Sequence, residues 1–193
     1  MSLDLSKRID ELRKDDAYPD FELWVKNGIY SESIGAKVAP EDLWIVEGGA
    51  LKRYFTQSEL LAFEKKVLMP NGWRLLTDDE WQALLTEFGT EDGETSHKLL
   101  MQSLGLIYGG YVQEECVDDY NRNPHNPDYI HNLGNTGCYA SSCDVDDDSA
   151  DPTMLNRYFY FLRDRDALYG YEYVGTCGTA VREAYLVRCV AVS

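Results

Sequence analysis

Two helix-capping motifs in the middle of the chain constrain its fold more than any other feature. The sequences TQSE at 56–59 and TDDE at 77–80 each place a threonine at a helix N-cap and a glutamate three residues later. In such a capping box the two side chains satisfy each other's backbone donors. Apolar residues follow each box at helical spacing, and stop signals stand at Pro70 and Gly89. We therefore expect two well-defined helices, followed by a shorter one around 97–104.

The remaining segments predict strands, turns and loops. Residues 21–45 are short apolar stretches broken by glycine and proline, which is typical of strands and turns. Residues 109–152 are rich in Gly, Asn, Asp, Pro and Cys and predict long irregular loops. The aromatic segment 156–162 and the apolar segment 185–192 predict two late strands. The fold class is therefore α+β.

The length of 193 residues fits one domain with a short arm. Leu5, Ile9 and Leu12 recur at helical spacing between charges, so residues 1–20 predict an amphipathic helix or arm that docks on the domain or on a neighbouring chain. Residues 21–193 are expected to form a single domain with ligand-display loops in 109–183. The first residues are no secretory signal, which predicts cytoplasmic synthesis, with display on a virion or cell surface by a non-classical route left open.

The charge of the chain narrows the classes of partner. There are 18 Lys and Arg against 34 Asp and Glu, a net charge of −16. Nucleic-acid binders need basic surfaces and anionic membranes attract basic segments, so the sequence predicts neither partner. No apolar run is long enough to cross a bilayer. The acids concentrate in 114–151, where ten of them accompany one base, whereas 152–193 carries four acids and five bases.

Alternating acids in the loop region suggest a cation site. Asp144, Asp146 and Asp148 have the spacing of calcium ligands, but Ser149 and Leu155 stand where an EF-hand requires Gly and Glu. A different type of calcium loop and a simple solvated acidic loop both remain open, and the second is favoured. The sequence predicts no other cofactor.

The five cysteines do not form a recognisable metal motif. Cys138 and Cys143 are separated by four residues, but no second pair has the spacing of a structural zinc site. A local disulfide or free thiols are favoured instead. Motifs for a nucleophile elbow, a phosphate loop or a dinucleotide site are missing, so no catalytic residue and no enzymatic activity are predicted.

Tyrosine and arginine cluster near the C-terminus and form the candidate ligand-binding set. These two residue types dominate recognition surfaces, because they offer large rigid contact areas and forked donors. One face of segment 156–162 must be buried, so about half of its aromatic rings are expected in the core. The candidate residues are Tyr158, Tyr160, Arg163, Arg165, Tyr169, Tyr171, Tyr173 and Arg182.

Four segments resemble a known family in the correct order. The sequence NGWRLLTDDEW at 71–81 resembles the GWRLPTxxEW signature of C-type-lectin-like domains of the formylglycine-generating-enzyme type, shared with the Fibrobacter succinogenes major paralogous domain. LIYGGY at 106–111, YASS at 139–142 and YLVRCV at 185–190 are similar to further segments of the latter. The resemblance implies two helices, a small twisted antiparallel sheet, long loops forming a ligand face, and Trp73 and Trp81 in the core.

The resemblance also orders the functional hypotheses. The leading hypothesis is a non-catalytic ligand-binding module, because the chain also resembles the variable proteins of diversity-generating retroelements, which have the same type of fold. Its partner would be a protein or glycan on another surface. The first alternative is a formylglycine-generating oxidase with Cys138 and Cys143 as copper ligands, because their spacing is similar to that of the family's catalytic pair. The second is an acidic decoy that mimics nucleic acid for a basic partner. The sequence does not predict the oligomeric state.

Overall fold

The computed structural model describes residues 17–92, 94–142, 156–163, 174–179 and 182–192. The predicted N-terminal helix therefore lies outside the described residues. Several candidate site residues also lie outside them: Cys143, Asp144, Asp146, Asp148, Arg165, Tyr169, Tyr171 and Tyr173.

The described part of the chain contains five α-helices. They are α1 (Phe21–Asn27), α2 (Gln57–Phe63), α3 (Asp78–Phe88), α4 (His97–Leu104) and α5 (Val117–Arg122). The three helices predicted from sequence are confirmed as α2, α3 and α4, and both capping boxes are formed. Helix α2 continues into a π-helical turn at Glu64–Leu68 and a 3-10 turn at Met69–Asn71, and Gly72 ends it with a φ of 77°.

Fifteen short strands complete the described structure. They are β1 (Ile29–Ser31), β2 (Ala36–Val38), β3 (Ile45–Glu47), β4 (Ala50–Lys52), β5 (Phe55–Thr56), β6 (Trp73–Leu75), β7 (Thr90–Glu91), β8 (Glu94–Thr95), β9 (Tyr111–Val112), β10 (Ile130–His131), β11 (Thr136–Ser141), β12 (Asn156–Leu162), β13 (Val174–Thr179), β14 (Ala184–Tyr185) and β15 (Cys189–Ala191). All their pairings are antiparallel, in the orders β1-β2-β15-β6, β10-β9-β14-β5 and β11-β12-β13, with hairpins β3-β4 and β7-β8. The α+β class is confirmed, but the described residues form several small sheets instead of one, and helices α1 and α5 are additional to the three predicted.

Helix α1 corrects the prediction of strands and turns for its segment. The Asp20 side chain accepts a hydrogen bond from the Leu23 N–H at 3.1 Å and so caps the helix. The N–H of Gly28 closes the other end on the Trp24 carbonyl at 2.7 Å. Trp24 is buried, so the helix is anchored through its indole ring. The glycine that suggested a turn is thus a helix end.

Segment 109–142 is more regular than the composition predicted. All six residues of β11 are buried, although Thr136, Gly137 and Ser141 gave no apolar pattern. The strand pairs with β12 on one side, and on the other the Ala140 N–H donates to the Leu186 carbonyl at 2.8 Å. A strand with neighbours on both sides is central, so its backbone bonds are satisfied without strongly apolar side chains.

One ion pair and one capping box explain the polar residues of the motif at 71–81. The Arg74 guanidinium donates to both carboxylate oxygens of Glu80, at 2.8 and 2.6 Å. The same carboxylate accepts from the Thr77 N–H at 2.9 Å. Burial alone raises the pKa of Glu80, but the bonds from Arg74 and Thr77 outweigh it and hold the pKa below its usual value. The motif therefore fixes the junction between β6 and α3.

Strand β12 separates two hydrophobic clusters. Phe159 and Phe161 are fully buried on one face, where Phe159 stacks on Trp81 with ring centroids 4.7 Å apart. Tyr158 and Tyr160 lie on the other face and pack against the second cluster. The expectation that half of these aromatic rings are core is confirmed. Trp73 and Trp81 are both fully buried, as the resemblance implied.

A buried ion pair fastens the C-terminal segment to the rest of the fold. Arg188 donates to Asp42 Oδ1 from Nε at 2.9 Å and from Nη2 at 2.6 Å. It also donates to the carbonyls of Ala39, Leu104 and Gly105. Both charged side chains are at least 96% buried, with exposures of 1% and 4%. The guanidinium therefore joins the segment before β3, the end of α4 and the segment before β15.

In the part of the chain that the structure describes, none of the helices combines the length and apolar character needed to cross a bilayer.

Candidate functional site

Five aromatic rings form a continuous row across four strands, which we call the aromatic ladder. Its members in spatial order are Tyr160, Tyr158, Tyr185, Tyr111 and His131. Successive ring centroids are 6.1, 4.7, 6.2 and 5.2 Å apart. The tightest contact is the stack of Tyr158 on Tyr185, with ring planes 26° apart. These spacings are those of stacked and edge-to-face aromatic pairs.

The register of the strands explains why the ladder forms. Tyr158 and Tyr160 are two residues apart on β12, so they share a face, and their partners on β11 are Ala140 and Cys138. Those small side chains belong to the same buried cluster as Tyr185. Strand β14 carries Tyr185 and pairs with β9, whose Tyr111 lies opposite His131 of β10. Strands from two sheets therefore contribute to one row of rings.

The ladder has a buried centre and more accessible flanks. Tyr185 is only 2% exposed and forms the base, while Tyr111, Tyr158 and Tyr160 are half-buried and His131 is exposed. Half-buried tyrosines that lean on a fixed ring lose little conformational freedom when a partner binds them. The row therefore presents preorganised aromatic surface to solvent.

A carboxylate lies against the buried ring of the ladder. The Tyr185 hydroxyl donates to Glu183 Oε2 at 2.5 Å. Burial raises the pKa of Tyr185, and the negative charge of Glu183 raises it further, so this phenol stays protonated. Burial also raises the pKa of Glu183, and Glu114 and Glu115 add to the effect, whereas the Tyr185 bond and His131 oppose it. The region beside the ladder is thus acidic, which favours a partner group of positive charge over a ring face.

The structure brings together only some of the residues predicted for the site. Tyr158 and Tyr160 are in the ladder. Arg182 is exposed beside Glu183, and its Nη1 donates to Asp118 Oδ1 at 3.1 Å. Arg163 lies beyond the end of β12, where its backbone N–H donates to the Asn135 carbonyl at 2.8 Å. The four other predicted residues lie outside the described part.

Sequence reasoning missed Tyr111, His131, Glu183 and Tyr185 as site residues. From sequence, Tyr185 is only the first residue of a predicted apolar strand. A tyrosine in such a run has a hydroxyl that needs a partner, and Glu183, two residues earlier and just before β14, supplies it. That i, i+2 pair was a usable signal. Tyr111 and His131 are brought in by strand pairing, for which the sequence offered no local indication.

Cys138 lies beneath the ladder and is only 2% exposed. Burial raises the pKa of its thiol strongly, and the nearby Glu183 carboxylate raises it further. A thiolate is the form that ligates metals and attacks substrates, so the oxidase alternative requires this buried thiol to lose its proton. Cys143, the other member of the proposed pair, lies outside the described residues.

Among the residues that the structure describes, no three His, Cys, Asp or Glu side chains are grouped so that they could hold a metal ion. The calcium candidates Asp144, Asp146 and Asp148 are not among those residues.

No family model, no curated protein and no solved structure matches the chain.

The raised pKa of Glu183 leads to a stability prediction. Folding disfavours the ionised carboxylate of Glu183. The contribution of this group to the stability of the fold is therefore most favourable below its pKa in the unfolded chain, near 4.5, and is lost as the pH rises through its pKa in the folded chain. Glu183→Gln keeps an acceptor for Tyr185 and removes the charge. We expect a gain of less than about 1 kcal/mol at pH 7, because solvent screens this half-buried group. Thermal melts should show the gain shrinking as the pH falls through the raised folded pKa towards 4.5 and vanishing below it; a variant less stable than the wild type at pH 7 would contradict this account.

Proposed function

We propose that the chain is a non-catalytic binding module of C-type-lectin type, whose ligand face is centred on the aromatic ladder. The observation that carries the proposal is the pair of half-buried tyrosines, Tyr158 and Tyr160, supported by the buried Tyr185 and flanked by Glu183. Natural recognition surfaces use such rigid tyrosines as anchors. The four segments that resemble lectin-like domains support the same interpretation.

The fold-level part of the proposal is supported by the arrangement of those segments. Helix α3 begins inside the motif at 71–81, and the tryptophans of that motif are buried. The GGY sequence at 109–111 leads into β9, the YASS sequence at 139–142 spans the end of β11, and the terminal YLVRCV sequence spans β14 and β15. The segments that resemble the family thus lie in helix α3 and in the strands beside the ladder, and two of them contribute its rings Tyr111 and Tyr185.

The partner that suits this face is a protein or glycan surface with basic or planar groups. Glu183 contacts the ladder at Tyr185, and Glu114 and Glu115 act on Glu183, so a cation over a tyrosine face gains from both the ring and nearby carboxylates. Arg182, which adjoins Glu183, and Arg163, just after β12, are exposed and add donors. Electrostatic complementarity of this kind would favour basic surfaces and disfavour acidic ones.

We further propose that the chain is a variable protein of a diversity-generating retroelement. Residues 139–183, which include the tyrosines of β12, would then be the diversified region. The genome around the coding sequence tests this directly. We expect a reverse-transcriptase gene nearby and a near-copy of the DNA that encodes 139–183. A neighbourhood without either feature would refute the retroelement assignment while leaving the binding module open.

The binding face is tested by changing the ladder without changing its base. We expect Tyr160→Ser combined with Arg182→Ser to weaken partner binding by at least about thirtyfold, since tyrosine and arginine anchors of an interface contribute roughly 2 kcal/mol or more. Partners recovered from host surface extracts with the wild-type chain would serve in calorimetric titrations. Tyr30→Ser is the matched control, because Tyr30 is 58% exposed on β1 and lies outside the ladder. Equal affinities for both variants would overturn the assignment of the face.

A further inference from the structure

An apolar groove lies on a part of the molecule outside the ladder. It has a volume of about 390 Å³ and runs between the β3–β4 hairpin and helix α2 with its π-helical turn. Its apolar lining comprises Tyr18, Ile45, Val46, Phe55, Ala62, Phe63 and Val67. Charged side chains of both signs, Glu47, Lys52, Glu59 and Lys66, form the remainder. A concave apolar surface with a polar rim is typical of a site that another apolar segment covers.

The chain enters the described structure at the edge of this groove. Ala17 pairs with Val46, and the two residues exchange backbone hydrogen bonds of 3.0 and 2.9 Å. Tyr18 follows and lines the groove, with its ring centroid 5.7 Å from that of Phe63. The Tyr18 side chain is nonetheless 46% exposed. The segment that precedes Ala17 is therefore tethered directly beside an incompletely covered apolar surface.

The sequence of that segment has the pattern that such a surface requires. Leu5, Ile9 and Leu12 fall on one face of a helix, whereas Lys7 and Lys14 fall on the opposite face. A helix over residues 3–16 would be about 21 Å long. Isolated helices of this length are marginal in water, so its stability must come from packing of the apolar face.

We propose that residues 3–16 fold back as a helix onto the groove of their own chain, with Leu5, Ile9 and Leu12 against Phe63 and Val67. The choice of the same chain rests on the tether. Because Ala17 is hydrogen-bonded to Val46, the segment is held beside the groove of its own chain at a high effective concentration. The same segment of a second copy would match that concentration only in a concentrated protein solution. The proposal is independent of the function assigned to the ladder.

Photocrosslinking in the full-length chain tests the contact. A benzophenone amino acid replaces Ile9 on the apolar face, and in a matched control it replaces Lys7 on the opposite face. We expect the probe at position 9 to crosslink to residues 45–67 several-fold more than the probe at position 7. Ala62→Asp, at an exposed position that lines the groove, should abolish the product. Leu61→Asp, on the exposed surface of α2 but outside the lining, should not.

Mixing copies labelled with nitrogen-14 and nitrogen-15 identifies which chain fills the groove. We expect every crosslinked peptide pair to carry a single isotope, because both of its peptides come from the same chain. Mixed-isotope products would overturn the proposal and assign the groove to a second copy. Equal crosslinking from positions 9 and 7, or products that avoid residues 45–67, would also overturn it and leave the groove for a different ligand. Circular dichroism of each variant confirms that the domain remains folded.

Discussion

Asp42→Ala should lower the free energy of unfolding by about 3–5 kcal/mol, because it leaves the Arg188 guanidinium buried without its counter-charge. Burial by itself lowers the pKa of Arg188, but Asp42 outweighs this and keeps the pKa above its usual value. After the substitution only backbone carbonyls would face the cation, at 3.1 Å from Ala39 and Gly105 and 2.5 Å from Leu104. Urea unfolding at neutral pH measures the loss from the midpoint and slope.

Three further variants separate the buried pair from a general effect of mutation. Asp42→Asn retains an acceptor and should lose less than Asp42→Ala. Combining Asp42→Ala with Arg188→Met removes both charges, so the double variant should lose less than the sum of the single ones. Asp119→Ala breaks the exposed pair with Arg122, whose side chains are 53% and 76% exposed, and should cost less than about 1 kcal/mol. If Asp42→Ala cost no more than Asp119→Ala, the buried pair would not fasten the C-terminal segment.

The parts of the fold that could be predicted from sequence are those fixed by neighbouring residues. The capping boxes that begin α2 and α3 each lie within four residues, so their side chains and backbone donors meet wherever the helix packs. The alternation in β12 likewise places Phe159 and Tyr158 on opposite faces. Such signals do not depend on the remainder of the chain.

The parts that could not be predicted depend on partners distant in sequence. Arg188 interrupts an apolar run, and only the fold shows that Asp42, 146 residues earlier, neutralises it. Strand β11 has neighbours along both of its edges and is buried throughout, although all of its residues except Tyr139 are small. A strand with satisfied edges does not need the apolar pattern by which strands are recognised.

In the candidate site, too, some features follow from neighbouring residues and others from partners distant in sequence. Tyr158 and Tyr160 could be chosen from composition and from the alternation of one strand. Tyr185 meets Tyr158 because the segment after β14 pairs with β11, and Tyr111 joins because β14 pairs with β9, which sets residues 74 positions apart side by side. Arg163 was chosen for its residue type, but it lies past the end of β12 against the turn at 132–135. Residue type indicates which side chains suit recognition, whereas strand pairing decides which of them meet.

Trp81→Ala should be among the most destabilising single changes, with an expected loss of about 3–5 kcal/mol. The indole ring is fully buried, lies 4.7 Å from Phe159 in a parallel stack, and is 5.6 Å from Tyr139. Truncation would open a cavity between α3 and β12, where these rings form the centre of the larger cluster. Chemical unfolding of the purified variant measures the loss.

Trp81→Phe provides the control, because it keeps a ring for Phe159 to stack on. The indole N–H has no hydrogen-bond partner among the described residues, so its removal leaves no acceptor unsatisfied there, and the loss should be clearly smaller than for alanine. The ladder lies on the opposite face of β12, so Trp81→Phe should bind partner as the wild type does. If instead Trp81→Ala were nearly as stable as the wild type but failed to bind, Trp81 would be a ligand contact, and the assignment of the motif at 71–81 to the scaffold would be wrong.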